Sequence, residues 1–185
     1  EGIATQLDGD DHPVRPHIEM ALNMVRHSLT EARRSVMYLR ANALENGDLG
    51  EALQEAAHNL AASSGVVLQT DIAPISTRLP QHLENNVFRI GVEAMTNALR
   101  HAKPRKLDVR LHCADDALVL SVQDDGTGFI LENDPAKPGH FGMRGMRERA
   151  KQIHAQLDIA STPGTGTKVR LMLPLPASAK AEAEL

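Results

Sequence analysis

Tryptophan is absent, tyrosine occurs once and phenylalanine three times in the 185 residues, so aromatics make up only 2% of the chain. With a net charge of −4, that scarcity excludes a general nucleic-acid binder, which relies on basic patches and stacking rings. The single cysteine, Cys113, excludes an internal disulfide framework, suits a reducing compartment, and reads as a small core residue. No apolar run approaches the ~20 residues that span a membrane, and no signal peptide opens the chain. The common phosphate cradles are missing as well: no glycine cluster runs into GK[ST], and no GxGxxG opens a helix after a first strand. There is no initiator Met, and "EGIATQLDGDD" starts abruptly, which reads as a piece cut from a longer chain. The end, "PASAKAEAEL", reads as a small, polar, frayed tail.

What is present is globular: 42% apolar and 24% charged, with a length that suits one domain plus some extra structure. Residues 14–42 carry Ile18, Leu22, Val25, Leu29, Ala32, Val36 and Leu39 at alternating steps of four and three, the a/d pattern of a helical bundle or coiled coil. Arg26, Glu31, Arg33, Arg34 and Arg40 fall off that stripe. The helix could instead pack on its own domain's core, but unbroken heptads favour a dimer interface. Asn46-Gly47 then makes a turn and Asp48 an N-cap for a helix over 49–63, with Gly65 at its end. "VVLQTDI" alternates as a strand, Pro74 and Pro80 bracket a loop, and a helix runs from 81 to 102, closed by Lys103-Pro104. "KLDVRLHCA" and "ALVLSVQD" form a hairpin about Asp115-Asp116, and an irregular glycine-rich segment covers 125–141. "MRGMRERAKQIHAQL" is helical, and "LDIAS" and "KVRLMLPL" are strands around "TPGTGT". This order predicts an α+β fold, a two-layer α/β sandwich with a mixed, mostly antiparallel sheet and helices on one face.

Chemistry concentrates in "GVEAMTNALRHA", residues 91–102, where Glu93, Asn97 and His101 recur every four residues and so share one helical face. Ala94, Met95, Ala98, Leu99 and Ala102 make the adjoining surface apolar. Three glycine clusters follow: "DDGTGF" (124–129), "GHFGMRG" (139–145) and "GTGT" (164–167). Taken singly, Glu93 and Asn97 read as a solvated helix face, Asp124 as a turn or cap, and each glycine cluster as turn punctuation. Together they describe a nucleotide pocket. Glycines after a strand let a ligand approach the backbone, and Gly142–Gly145 lie where a loop becomes a helix whose free N–H groups attract phosphates. Asn97 would ligate Mg²⁺, Glu93 one turn earlier would orient or deprotonate a metal-bound water, and Arg100 or His101 would meet phosphates.

The ordered run "EAMTNALRHA", "DDGTGF", "GMRGM", "GTGT" resembles the N, G1, G2 and G3 boxes of the histidine kinase ATP-binding domain, of the Bergerat-type (GHKL) superfamily shared with gyrase and the heat-shock chaperone ATPases. Upstream, "SLTEARRSVMYLRA" and "LGEALQEAA" resemble the nitrate-sensor subfamily of sensor kinases. The resemblance implies a Bergerat fold that binds ATP and Mg²⁺, with Asn97 on the metal and Glu93 on the metal's water or as a base. It places Arg100 and His101 against the nucleotide, Asp124 on the adenine amino group with Gly126 and Gly128 beside it, and Thr167 next to that aspartate. Gly142, Met143, Gly145 and Met146 become the far end of a mobile lid over 130–141.

The organisation implied is a truncated dimerisation region over 1–45, a catalytic domain over 46–176 and a tail over 177–185. The parent would be a cytoplasmic or membrane-attached sensor kinase, dimeric through its N-terminal helix. It would pass the ATP γ-phosphoryl to a histidine and then to a response-regulator aspartate, with LuxR-type output and no direct nucleic-acid contact. The sequence departs from the family in three places. His154-Ala155 stands where many relatives have Gly-Gly, and Phe141 directly precedes Gly142 where relatives often have a shorter lid. The Arg-rich phosphoacceptor box ending in His-Asp is missing, and none of the nine histidines is followed by Asp or Glu. His12, His17 and His27 read as solvated, since steps of five and ten do not align on one helical face. The chain alone is therefore expected to bind ATP without phosphorylating itself. Two alternatives stand beside this reading: a switch ATPase in which Glu93 activates water, and a dimerisation module that ignores nucleotide.

Overall fold

The computed structural model describes residues 18, 48–62, 64–75, 79–114, 116–130 and 141–175. All but Ile18, which is helical, belong to the unit Ala43–Leu185. The remainder of the helix expected over 14–42, His12, His17 and His27, both domain boundaries and lid residues 131–140 lie outside the described residues.

Helix α1 spans Leu49–Ala61. It starts where the sequence places its cap, with Asp48 Oδ1 accepting the Gly50 N–H at 3.3 Å. It ends at Ala61 rather than 63, and Gly65 takes φ +69° in the turn that follows. Strand β1, Val67–Ile72, leads through the proline-bracketed loop to α2, Gln81–Asn97. Strands β2 (Lys106–Ala114) and β3 (Ala117–Asp124) form the expected hairpin.

The helix expected to run to residue 102 changes character at its end. Ala98–Ala102 is a π turn, and Lys103 after it is left-handed at φ 47°. Pro104 disfavours helical backbone at Lys103. The wider turn keeps Ala98 and Ala102 buried while Arg100 and His101 are exposed.

The last helix, α3, covers Phe141–Gln152, so it begins before Met143 and stops well short of Leu157. His154 ends it with φ 54°, and the Ala155 N–H returns to Ala150 O at 2.9 Å. A left-handed residue after a helix is usually glycine, so His154 does a glycine's work at the position where the resemblance leads one to expect Gly-Gly. Gln156 and Leu157, expected as helix, open strand β4 (Gln156–Thr162), which pairs with β5 (Gly166–Pro174).

The five strands run in the order β1-β2-β3-β5-β4. The β1–β2 pair is parallel and the other three are antiparallel, as a mixed, mostly antiparallel sheet requires. Cross-strand partners put Val109 and Leu111 of β2 beside Val122 and Leu120 of β3, Val169 and Leu171 of β5, and Ile159 and Leu157 of β4, with Leu107 opposite Asp124. The helices cover this face: α2 packs between α1 and α3 and reaches β3, while α1 touches β1 and α3 touches β4. The opposite face is mostly polar. There Asp108 takes two bonds from Arg110, at 2.7 and 3.0 Å, which hold its carboxyl below the usual carboxylate range. Cys113, read in the sequence as a core residue, is exposed; it sits at the hairpin end of β2, past Leu111, the last residue that β1 pairs.

Gly91 marks the closest approach of α2 to its neighbours. A Cβ there would lie 2.7 Å from a Leu53 methyl and 3.2 Å from a Leu120 methyl. Leu53 and Leu120 are almost wholly buried, so neither has room to give. Gly91→Ala is therefore expected to destabilise the domain by about 1–3 kcal/mol through overpacking. Alanine's better helix propensity, worth about 1 kcal/mol, opposes that loss without cancelling it. Chemical denaturation checks the sign, and a gain in stability would refute this packing.

Candidate functional site

On the helix-covered side the apolar face of the sheet turns polar at one end. Beyond the Val122–Val169–Ile159 row come Asp124 on β3, Thr167 on β5 and Ser161 on β4. Asp124 is 4% exposed, and its Oδ1 accepts the Gly126 N–H at 2.9 Å. Burial pushes its carboxyl above the usual range. The backbone N–H bonds from Gly126 and Thr167 work against that rise, and the neighbouring Asp125 charge adds to it. Asp125 is used differently: its Oδ1 takes the N–H groups of Arg105 and Lys106, each at 2.8 Å, and these bonds hold it below the usual range.

The chain after β3 is sewn in on both sides. Thr127 N–H bonds Ala102 O at 2.8 Å, at the end of the π turn, and Gly164 N–H bonds Thr127 O at 2.7 Å, from the β4–β5 turn. Gly126 presses on the backbone of Ala102, where a Cβ would strike the carbonyl. Gly128 at φ +58° lies as close to Thr162 O, and Gly166 at φ +95° as close to Asp124 O. These three glycines therefore serve contact as well as turning.

Between α2, its π turn, α3 and this end of the sheet lies a cleft of about 370 Å³. That is the size range of small-molecule sites. It is lined by Asn97, His101, Asp124, Gly128, Gly142, Met143, Met146 and Thr167 of the residues expected from sequence. Four expected residues are not in its wall. Gly126 lies behind Asp124 and donates its N–H to it. Arg100 is exposed on the π turn, and Gly145 faces Arg149, whose Nη1 would sit 2.9 Å from an added Cβ. Glu93 is 2% exposed, one turn before Asn97, and meets Gly142: a Cβ on Gly142 would fall on Glu93 Oε1 and 3.1 Å from Asn97 Nδ2.

The cleft thus has two chemically different ends. One offers a buried carboxylate in apolar surroundings of Ala98, Ala102, Met146, Ile159 and Val169. The other offers the Asn97 carboxamide, His101 and the first turn of α3, whose N–H groups have no partner within the helix. Thr127, Phe129, Ile130, Ile159 and Val169 also line it and were not singled out in the sequence. Alternation along β4 and β5 was the available signal for Ile159 and Val169, which pair with each other on the inner face.

Gly126→Ala is expected to destabilise by about 1–3 kcal/mol or more, because the obstruction is backbone and cannot swing aside. Gly164→Ala, with nothing within 4 Å of the new Cβ, bears only the cost of its positive φ, about 1–2 kcal/mol. Paired denaturation curves check the order, and an equal loss in both would contradict the contact with Ala102.

Residues 82–177 match the family described as Histidine kinase-, DNA gyrase B-, and HSP90-like ATPase. Sensor protein VraS of Staphylococcus aureus (strain COL) is 33% identical over 156 residues, covering 84% of this chain and 44% of that protein. The chain therefore spans less than half the length of this relative. Among solved structures, the Erythrobacter litoralis EL346 blue-light activated histidine kinase aligns with a TM-score of 0.66 at 23% identity, over 89% of this chain and 60% of that one. The Acinetobacter baumannii histidine kinase AdeS aligns with a TM-score of 0.59 at 14% identity, over 94% of this chain and 90% of that one. At such identities these two neighbours speak for the fold, which is the Bergerat fold expected from the four boxes. The family match covers just over half of the chain and takes in all four boxes and the cleft between them, so this chain belongs to the histidine kinase-, DNA gyrase B- and HSP90-like ATPase family.

Proposed function

We propose that the cleft binds Mg²⁺-ATP and that the chain is the catalytic part of a sensor histidine kinase. In the parent protein the γ-phosphoryl would pass to a histidine and then to a response-regulator aspartate. The observation that carries this reading is the junction of Glu93, Asn97 and Gly142. Two oxygen-bearing side chains one helical turn apart meet the first turn of a second helix, with no Cβ between them.

These residues fit a hard cation that also holds phosphate oxygens. The Asn97 carboxamide supplies a neutral oxygen ligand, and Glu93 a carboxylate for the ion's water. Mg²⁺ there would neutralise charge on the phosphates. Gly142 and Met143 bring the α3 N-terminus, whose unpaired N–H groups and dipole favour anions. At the other end Asp124, which when ionised can accept but not donate, selects a base that presents an amino group. Met146, Ile159 and Val169 supply apolar contact for its ring. Catalysis of phosphoryl transfer in this setting is chiefly positioning and charge stabilisation. Dimerisation through the N-terminal helix, a response regulator of LuxR type and a cytoplasmic setting belong to the same proposal. Among the described residues no helix is long and apolar enough to cross a membrane.

Calorimetry with a non-hydrolysable ATP analogue tests the pocket. Binding should require Mg²⁺, and Asn97→Ala should weaken it by about 10–100-fold, the usual scale for disturbing a metal's surroundings. Binding of equal strength in the variant, or without metal, would refute the assignment of Asn97. Labelled ATP should leave no phosphate on this chain, since none of its nine histidines has an acidic successor. Steady phosphate release abolished by Glu93→Gln would point to the switch ATPase instead.

The raised titration of Asp124 gives a pH dependence whose sign can be worked out. Above its pKa the carboxyl only accepts, so affinity for ADP should be full where Asp124 is ionised and fall as pH drops through that raised range. The loss should begin at a higher pH than an ordinary carboxylate would produce. Asp124→Asn should bind more weakly and lose that step, leaving only the titration of the phosphates themselves. Identical pH profiles for the two proteins would remove Asp124 from the site.

A further inference from the structure

Behind the wall of the cleft, one hydroxyl makes three contacts. Ser161 Oγ receives the Phe129 N–H at 2.9 Å, lies 3.2 Å from Gly166 O, and lies 2.9 Å from Thr167 Oγ1. Ser161 is half-buried and is not part of the lining, whereas Phe129 and Thr167 are. A serine hydroxyl has one proton and two lone pairs. The Gly166 carbonyl can only accept, so using that contact commits the serine proton to it. The Phe129 N–H fills one lone pair. The contact with Thr167 can then be made in only one way, with the threonine hydroxyl donating to Ser161.

We propose that Ser161 is a positioning residue for base selection: by drawing the Thr167 proton away from the cleft, it leaves Thr167 Oγ1 as an acceptor beside the Asp124 carboxylate. This rests on the adenine-nucleotide reading and deepens it. Together the two side chains make a wall that offers only acceptors to a ligand. A 6-amino purine satisfies such a wall, and a 6-oxo purine places lone pairs against lone pairs. A hydrogen-bonding site rejects a mismatched analogue because its own polar groups are left without partners. Removing the Ser161 hydroxyl frees the Thr167 proton to turn into the cleft, where it suits an oxo group. The same removal leaves the Phe129 N–H without its acceptor, which loosens the backbone beyond Gly128 for any nucleotide. The two consequences separate experimentally, since the second weakens all nucleotides alike and only the first alters preference between bases.

The experiment compares affinities for ADP and for inosine diphosphate, which carries oxygen in place of the 6-amino group, by calorimetry on the full chain with Mg²⁺. The unaltered chain should prefer ADP. Ser161→Ala should cut that preference by about tenfold, the scale of one hydrogen bond's worth of discrimination. Ser161→Thr, which keeps the hydroxyl, should retain it. In a Thr167→Val background, Ser161→Ala should change the preference no further, because the group it acts through is gone. Thermal melts of each variant confirm folding. An ADP preference unchanged in Ser161→Ala, or a further fall in the Thr167→Val background, overturns the proposal while leaving the nucleotide pocket standing. An unaltered chain that binds neither nucleotide overturns both.

Discussion

The Ala102 carbonyl is the acceptor on which the cleft hangs. It takes the Thr127 N–H, and Gly126 is pressed against the same residue, so the end of the π turn is joined to the chain leaving β3. Just before that joint stand two consecutive carboxylates of opposite use. Asp124 turns into the cleft and gathers the N–H groups of Gly126 and Thr167, while Asp125 takes those of Arg105 and Lys106. The backbone groups that a helix end and a strand end would leave without partners thereby hold the carboxylates in place. The walls of the cleft follow from this join: α2 brings Ala94, Asn97 and Ala98, and the sheet brings Asp124, Thr167 and Val169.

The sheet supplies its half through register. Inward-facing positions are apolar from Leu118 through Val122 and change to a carboxylate at Asp124, with Thr167 and Ser161 continuing the change across β5 and β4. A carboxylate at the edge of an apolar face is raised in pKa by burial and is still bonded by its own backbone neighbours. It is kept ready to accept, at some electrostatic cost to the domain. The hydroxyl pair behind it adds direction to that acceptance without adding charge.

Much of this was legible because it depends on local chemistry. Asp48 caps α1, the 106–124 hairpin has its expected strands, and "DDGTGF" falls at the foot of β3 as glycines after a strand should. Asn97, His101 and Gly142 could be named because polar residues on an apolar helix and glycines at a loop-to-helix junction are unusual, whereas Asp124, Gly128, Met143, Met146 and Thr167 were legible only through the resemblance of the four boxes. The misreadings come from tertiary context. Periodicity carried α3 on to Leu157, but His154 takes the left-handed conformation and hands the next residues to β4. Cys113 has the size and chemistry of a core residue and lies past the stretch of β2 that β1 pairs. Glu93, Arg100, Gly126 and Gly145 are a different matter: they belong to the motifs around the cleft without lining its wall, a distinction that a motif does not encode. Ser161 carries no signal in the sequence, since a serine on a strand is ordinary until its three neighbours are known.

The π turn has a consequence for how this segment can vary. Four-residue spacing aligns Glu93 with Asn97 inside the α-helix, but a π turn closes over five residues, so His101 reaches the cleft from a different bearing than that spacing alone would give. Such a turn is equivalent to one inserted residue in a helix. Deleting any one of Ala98–Ala102 would let the helix close in its tighter form, swinging His101 aside and pulling the Ala102 position back from Thr127. Within this stretch, the number of residues constrains the site more tightly than the identity of several of them. Insertions and deletions here would be far less tolerable than exchanges at exposed Arg100, even though the segment sits at a helix end where length usually varies freely.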